Sequence, residues 1–245
     1  MIMSKYKVFR LTLITLLLAC IVGFGTGIKT NAMENVRCKI IIGDSRTMGL
    51  IATLMNDKDA TQLYDSFDGA VYDAIFLKGD TLLVMCSQGG GYYKNGAYER
   101  AGNRAVKLLQ TEDILKNCSS YSLYDLFGFN DIFLEPDACK EAPGRYIAGD
   151  ATLASRIHAC QSVYHFNAGP VDEAGSSTWK YCVTNPMLME YNQKFVGSSR
   201  VSVVDLYGYL CTEGYKGIIT EADDAGIHYD NKTNNKIINL LLALN

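Results

Sequence analysis

The stretch KIIIGDSRTMGL, Lys39 to Leu50, decides how the rest of the chain is interpreted. Three isoleucines run into Gly43-Asp44-Ser45 and helical spacing follows at once, which predicts a buried strand, a tight turn and a helix. Serine and aspartate both cap helices well, so Ser45 is either a helix N-cap or a nucleophile presented at the end of a strand. One tripeptide does not decide between them.

The composition indicates one globular domain behind an N-terminal export signal. The chain has 245 residues, 48% hydrophobic and 20% charged, which is typical of a folded domain. Residues 1–32 run from basic residues through an apolar segment to small residues before Ala32, the order of a secretory signal peptide. We predict a cleaved signal peptide over residues 1–32, a single domain over 33–245, and a secreted or extracytoplasmic protein.

Two alternatives remain for the N-terminal segment. It is an uncleaved membrane anchor if the apolar run, long for a signal core but short for a full span, stays in the bilayer. It is a lipoprotein signal if Cys20 is lipidated, although the apolar run continues beyond that residue. The predicted cut removes four basic residues and no acids, so the formal net charge changes from −3 to −7. We therefore expect no nucleic-acid partner and no membrane contact beyond this segment.

Strand-like apolar runs alternate with helical spacing along the domain. This order predicts an α/β fold, a three-layer α/β/α sandwich around a parallel sheet of about five strands. The predicted strands are VRCKIIIG, DTLLVMCSQ, YSLYDLFG, SVYHFNAG and RVSVVDLYG. The predicted helices cover 45–56, 98–117, 151–160 with Asp150 as cap, 186–196, and 231–245 with Asn231 as cap. Ligands bind such sheets at the carboxyl ends of the strands.

Chemically useful residues follow the predicted strands. They stand in GDS, SQGGGYY, GFND, NAGPVDE and, before the last helix, DDAGIHYD. A serine becomes a nucleophile when a base such as histidine takes its proton, and the resulting oxyanion needs fixed donors. His228 is the candidate base, because His158 lies in a helical pattern and His165 in a predicted core strand. The candidate donors are the Ser45 N–H, a glycine N–H and the Asn130 amide.

GDSRTMG, GGGY, GFND and DDAGIHY resemble the four sequence blocks of the SGNH, or GDSL-type, hydrolases. The resemblance spans residues 40–229 and implies a flavodoxin-like three-layer fold and an esterase mechanism. It implies that Ser45 is the nucleophile, His228 the base, and Gly89 and Asn130 part of the oxyanion hole, with Gly90 and Gly91 as alternatives to Gly89. It implies neither a cofactor nor a metal.

The last block departs from the family pattern. The family has an aspartate three residues before the histidine, and here that position is Ala225. We expect Asp224 to orient His228 across one extra residue, with Asp223 as an alternative, and Gly226 is suited to the positive φ that such a bulge needs. A third alternative is that no side-chain acid serves the histidine.

These observations predict a secreted serine esterase acting on a small ester or an acylated carbohydrate. O-acetyl groups on carbohydrate are one candidate substrate. Two rivals use the same fold: an acyltransferase with the same triad, and a catalytically weak glycan-binding relative. The oligomeric state is left open.

Seven cysteines follow the predicted cut, and none are spaced C-x-x-C, which argues against a zinc knuckle or a thioredoxin-type site. We predict a disulfide between Cys118 and Cys160, because each precedes a strand expected to lie beside the other. The alternative is that both are buried thiols.

Overall fold

The computed structural model describes residues 36–116, 118–133, 136–176, 183–219 and 226–245. The predicted signal peptide and the candidate acids Asp223 and Asp224 lie outside these residues. In the described part, a seven-stranded mixed sheet carries helices on both faces, which confirms the predicted α/β class. None of the helices in these residues combines the length and apolar character needed to cross a bilayer.

The sheet has the order β2-β3-β4-β1-β5-β6-β7. Its strands are β1 (Arg37–Gly43), β2 (Ala60–Asp68), β3 (Val71–Lys78), β4 (Thr81–Gln88), β5 (Ser120–Leu126), β6 (Cys160–Phe166) and β7 (Ser202–Val204). From β4 onward the neighbours are parallel, and the five parallel strands follow the flavodoxin order 2-1-3-4-5. The predicted parallel core is therefore present, with two further strands added.

The two added strands form a hairpin that the sequence analysis missed. β2 and β3 are antiparallel to each other and to β4, and Gly69 at the hairpin turn has φ +59. Most of β2 is exposed, so it lacks the apolar run that marks a buried strand. Residues 60–68 form a strand because they pair with β3 at the edge of the sheet.

The helices are α1 (Ser45–Met55), α2 (Ala97–Thr111), α3 (Pro136–Ser155), α4 (Glu173–Ser176), α5 (Asn185–Asn192), α6 (Leu206–Glu213) and α7 (Asn231–Ala243). α1, α6 and α7 pack on one face of the sheet, and α2 and α3 contact the other. Ile40, Ile41 and Ile42 of β1 are fully buried because both faces of this central strand are covered.

Several predicted boundaries were wrong. The helices predicted over 98–117 and 186–196 end at Thr111 and Asn192. Asp150 lies inside α3 and is fully buried, rather than capping a helix over 151–160. The fifth predicted strand is only three residues long, because the Asp205 carboxylate accepts the Gly208 N–H at 3.0 Å and starts α6. Asp230, one residue before the predicted Asn231, caps α7 by accepting the Thr233 N–H at 2.8 Å.

The predicted disulfide was also wrong: Cys118 and Cys160 are free thiols. The register of β5 and β6 sets Cys160 level with Tyr121. Cys118 is three residues earlier, about 10 Å away along the strand, beyond the range of a disulfide. The Cys118 thiol instead contacts the buried thiol of Cys38.

A buried histidine joins two acids beneath the sheet edge. His165 Nδ1 lies 3.0 Å from an Oδ2 atom of both Asp125 and Asp150, and all three side chains are fully buried. Burial lowers the pKa of His165, but the two carboxylates outweigh it and raise that pKa to about 9. The fold therefore holds an imidazolium here at neutral pH, between two acids that have left water.

We predict that His165→Gln destabilises the protein at pH 7 by about 3 kcal/mol or more, because the buried cluster of Asp125, His165 and Asp150 loses its cation. Burial and the charge of Asp125 raise the pKa of Asp150 to about 8, so that acid is largely protonated at this pH. The loss should shrink toward pH 5, because in the variant an acid buried without its cation takes up a proton at less cost as the pH falls. In the wild type, charged His165 makes its full contribution to the free energy of unfolding below pH 6.5. That contribution is lost as the pH rises through about 9. Urea unfolding at pH 5 and 7 measures both effects.

The exposed His158 supplies the control, since His158→Gln should leave stability unchanged at either pH. An equal loss for His165→Gln at pH 5 and pH 7 would contradict the assigned charge state.

Candidate active site

A tight turn between β1 and α1 sets the position of Ser45. A Cβ on Gly43 would lie 2.0 Å from Thr47 Oγ1 and 3.2 Å from Leu126 Cβ, so only glycine fits at this position. The Asp44 carboxylate accepts the Arg46 N–H at 2.9 Å and is the N-cap of α1. Ser45 is therefore the first residue of the helix rather than its cap.

Ser45 meets a histidine from the other end of the chain. His228 Nε2 lies 2.8 Å from Ser45 Oγ, across 183 residues of sequence, and both residues are partly exposed. With the proton on Nδ1, the Ser45 hydroxyl donates to Nε2. This is the geometry in which a base removes the proton of a serine nucleophile.

Backbone hydrogen bonds hold the His228 segment in place. The Ile218 N–H donates to the His228 carbonyl at 2.9 Å, and the Gly226 N–H donates to the Ile218 carbonyl at 2.8 Å. Gly226 has φ +85, and a Cβ there would lie 2.8 Å from Asp172, so glycine is needed for both conformation and space. The expected positive φ at Gly226 is present. The residues just before it, with Asp223 and Asp224, are outside the described part.

Arg46 ties this segment to the helix that carries Ser45. Its guanidinium donates to the carbonyls of Ile227 and Gly169, both at 3.0 Å. It also lies over the Phe129 ring, 3.6 Å from the centroid, and against Tyr229, 4.8 Å away. One buried side chain thus connects α1 to the loop after β6, to the GFND block and to the backbone beside His228.

The GFND block contributes an amide and a buried acid. Asn130 Nδ2 donates to the Gly91 carbonyl at 2.9 Å and lies 3.5 Å from Asp44 Oδ2. Asp131 is fully buried and accepts the Tyr93 N–H at 3.1 Å and the Tyr146 hydroxyl. These contacts join the GFND block to the loop of residues 89–91, which we call the glycine loop, and to the turn before Ser45.

Within the glycine loop, the predicted donor Gly89 is already engaged. Its N–H donates to the Ala70 carbonyl at 2.6 Å, and the Gly91 N–H donates to the Gln88 carbonyl at 3.0 Å. Gly90 has φ +62, and no acceptor for its N–H occurs among the described residues. Of the three glycines, Gly90 therefore has the N–H that remains available to a ligand.

Burial also changes the pKa of the acid beside Ser45. It raises the pKa of Asp44 to about 6, although Arg46 and His228 act to lower that pKa. The Asp44 carboxylate thus interacts electrostatically with the His228 imidazole. Its capping hydrogen bond to α1 keeps it turned toward the helix.

Sequence reasoning missed the structural roles of Arg46 and Asp131. A signal for Arg46 was available: a cation in the first turn of a helix opposes the helix dipole, so it needs a compensating reason to be there. No comparable signal exists for Asp131, because its partners Tyr93 and Tyr146 are brought to it only by the fold.

No protein-family description and no curated protein matches the sequence. Among solved structures, the chain is similar to a peptidoglycan O-acetylesterase, with 9% identity over 87% of this chain and 93% of that chain, and a TM-score of 0.46. It is also similar to an Arabidopsis thaliana protein, with 13% identity over 66% of this chain and a TM-score of 0.41. This chain spans 59% of the length of the latter. Both likenesses are distant, and the case for function rests on the geometry of the site.

We predict that Arg46→Lys slows the reaction of Ser45 with a fluorophosphonate probe by at least roughly tenfold, because a small displacement of a catalytic group is costly. A lysine ammonium lacks the planar fork that reaches separate carbonyls and stacks on two rings. Labelling rates measured by mass spectrometry test this, with the exposed Arg156→Lys as control. Unchanged labelling of Arg46→Lys would show that Arg46 does not position the site.

Proposed function

We propose that this chain is a serine esterase of the SGNH, or GDSL, type that acts through an acyl-enzyme. One observation carries the proposal: Ser45 Oγ lies 2.8 Å from His228 Nε2 at the carboxyl edge of a parallel sheet. The same edge brings the Asn130 amide and the glycine loop beside the turn that precedes Ser45. A nucleophile, a base and oxyanion donors are the parts that acyl transfer needs.

In the proposed reaction, His228 takes the Ser45 proton as Oγ attacks the ester carbonyl carbon. The imidazolium then gives the proton to the leaving alcohol, and an acyl-serine ester remains. Water, activated by the same imidazole, hydrolyses that ester and restores Ser45. Asp224 is proposed to hold the imidazole in the required tautomer.

The proposed oxyanion hole combines three donors. The Ser45 N–H is in the first turn of α1, where backbone donors have no partner within the helix. Gly90 replaces Gly89 as the loop donor, since its N–H is available. The Asn130 amide has two N–H groups, and its bond to Gly91 orients the group while the long 3.5 Å contact with Asp44 is easily given up to a substrate oxygen.

The proposal includes export, because residues 1–32 have the order of a signal peptide. The substrate is then an ester met outside the cytoplasm, with a small ester or an acylated carbohydrate as the class expected from the sequence.

We predict that a fluorophosphonate probe labels the protein at Ser45 and that Ser45→Ala abolishes both labelling and hydrolysis of p-nitrophenyl acetate. The exposed Ser66→Ala should behave as wild type. Peptide mapping identifies the labelled residue. Labelling that persists in Ser45→Ala would place the nucleophile elsewhere.

We also predict that Asn130→Ala lowers kcat by roughly 10²–10³ with little change in KM, the size of losing one oxyanion donor. Steady-state kinetics on an activated ester measure this, with the exposed Asn103→Ala as control. A loss confined to KM would mean that Asn130 only binds the substrate.

A further inference from the structure

The helix that carries Ser45 has an apolar exposed face. Met48, Ala52 and Met55 follow Ser45 at helical spacing on one side of α1, and Met55 is 48% exposed. The only charged residue of α1, Arg46, is buried. The solvent face of a surface helix is normally polar, so this face needs another explanation.

The β2–β3 hairpin extends the apolar face. Phe67 is 60% exposed, and its ring makes an edge contact with Tyr72, its register partner, at 5.2 Å between centroids. The Tyr72 hydroxyl lies 2.8 Å from Met55 Sδ. Met48, Ala52, Met55, Phe67 and Tyr72 together form what we name the apolar strip.

The apolar strip reaches Gly89, the residue next to the proposed oxyanion donor Gly90. Met48 Sδ is 3.2 Å from the point where a Cβ on Gly89 would stand, and the Gly89 N–H donates to the hairpin carbonyl of Ala70. From Ser45 to Met55, ten residues of helix rise about 15 Å. The strip therefore starts one turn from the nucleophile and continues away from it.

We propose that the apolar strip binds the acyl chain of the substrate, and that the enzyme prefers esters of longer apolar acids to acetyl esters. This inference rests on the proposed esterase function. The acyl group is the part of the substrate bonded to Ser45 in the acyl-enzyme, so a chain on the carbonyl carbon begins where the strip begins. Apolar area removed from water along the strip then stabilises the bound chain.

The charges around the apolar strip favour this occupant over two others. Asp65 and Asp68 are exposed on either side of Phe67 in β2. They repel an anionic membrane surface. A second copy docked about a two-fold axis would bring the same carboxylates toward each other. A neutral hydrocarbon chain meets neither penalty.

The test compares p-nitrophenyl acetate, butyrate and dodecanoate with wild type, Phe67→Ser and Leu63→Ser, because a twelve-carbon chain can extend along the strip to Phe67. Fully burying one methylene is worth roughly fourfold in an equilibrium constant, so partial burial of ten should raise wild-type kcat/KM at least roughly tenfold from acetate to dodecanoate. Phe67→Ser should remove most of that ratio. Leu63 is 40% exposed on the same strand, about 13 Å from Phe67, and Leu63→Ser should keep the ratio.

Each other outcome has a definite meaning. Acetate turnover with no rise toward dodecanoate, or an equal rise in Phe67→Ser, overturns the acyl site and leaves the esterase proposal standing. The strip belongs to a dimer interface if kcat/KM does not change with acyl length and the elution volume of the wild type depends on concentration while that of Phe67→Ser does not. That result also overturns the acyl site. Failure to hydrolyse any of the three esters, without fluorophosphonate labelling, overturns the esterase proposal and the acyl site with it.

Discussion

The hydrogen bond from the Arg46 N–H to the Asp44 carboxylate is the constraint on which the candidate site depends. It places the N-cap of α1 at Asp44, one residue before Ser45, so the serine hydroxyl is not used for capping and meets His228 instead. The turn is possible because Gly43 leaves room for Thr47 against the strand end. A cap worth about 1 kcal/mol thus leaves the Ser45 hydroxyl free to face His228.

Two buried charged side chains then join the separate strand ends into one site. Arg46 binds the backbone next to His228 and the loop after β6, and Asp131 binds the glycine loop through the Tyr93 N–H. Each charge is buried with several hydrogen-bond partners, which is the condition under which a charge is tolerated away from water. The loops at a parallel sheet edge are long and separate in sequence, so such cross-links are needed to hold reacting groups within the short distances that catalysis requires.

The two faces of α1 have different surroundings: one packs into the core and the other is exposed. Its inner face packs Leu50, Ile51 and Leu54 into the core, and its outer face presents Ser45 and the helical part of the apolar strip. A helix that is apolar all round is normally buried. Here the outer face is exposed to solvent, because the β2–β3 hairpin lies beside it and does not cover it. The hairpin is thus the addition to the flavodoxin-like core that shapes the surroundings of Ser45.

The sequence by itself determined the α/β class, the strand that leads into Ser45, and the blocks that lie at the sheet edge. Those features depend on local patterns, since apolar runs, tight-turn glycines and strand–helix alternation are readable within a few residues. Tertiary structure alone decided that Asp44 rather than Ser45 caps α1, that the Gly89 N–H is used by the hairpin, and that Asp150 is buried beside His165. In each case the residue meets a partner that its local sequence does not reveal: His228 at Ser45, Ala70 at Gly89 and His165 at Asp150. The edge strand β2 shows the same limit, because its pairing with β3, and not its own apolar content, makes it a strand.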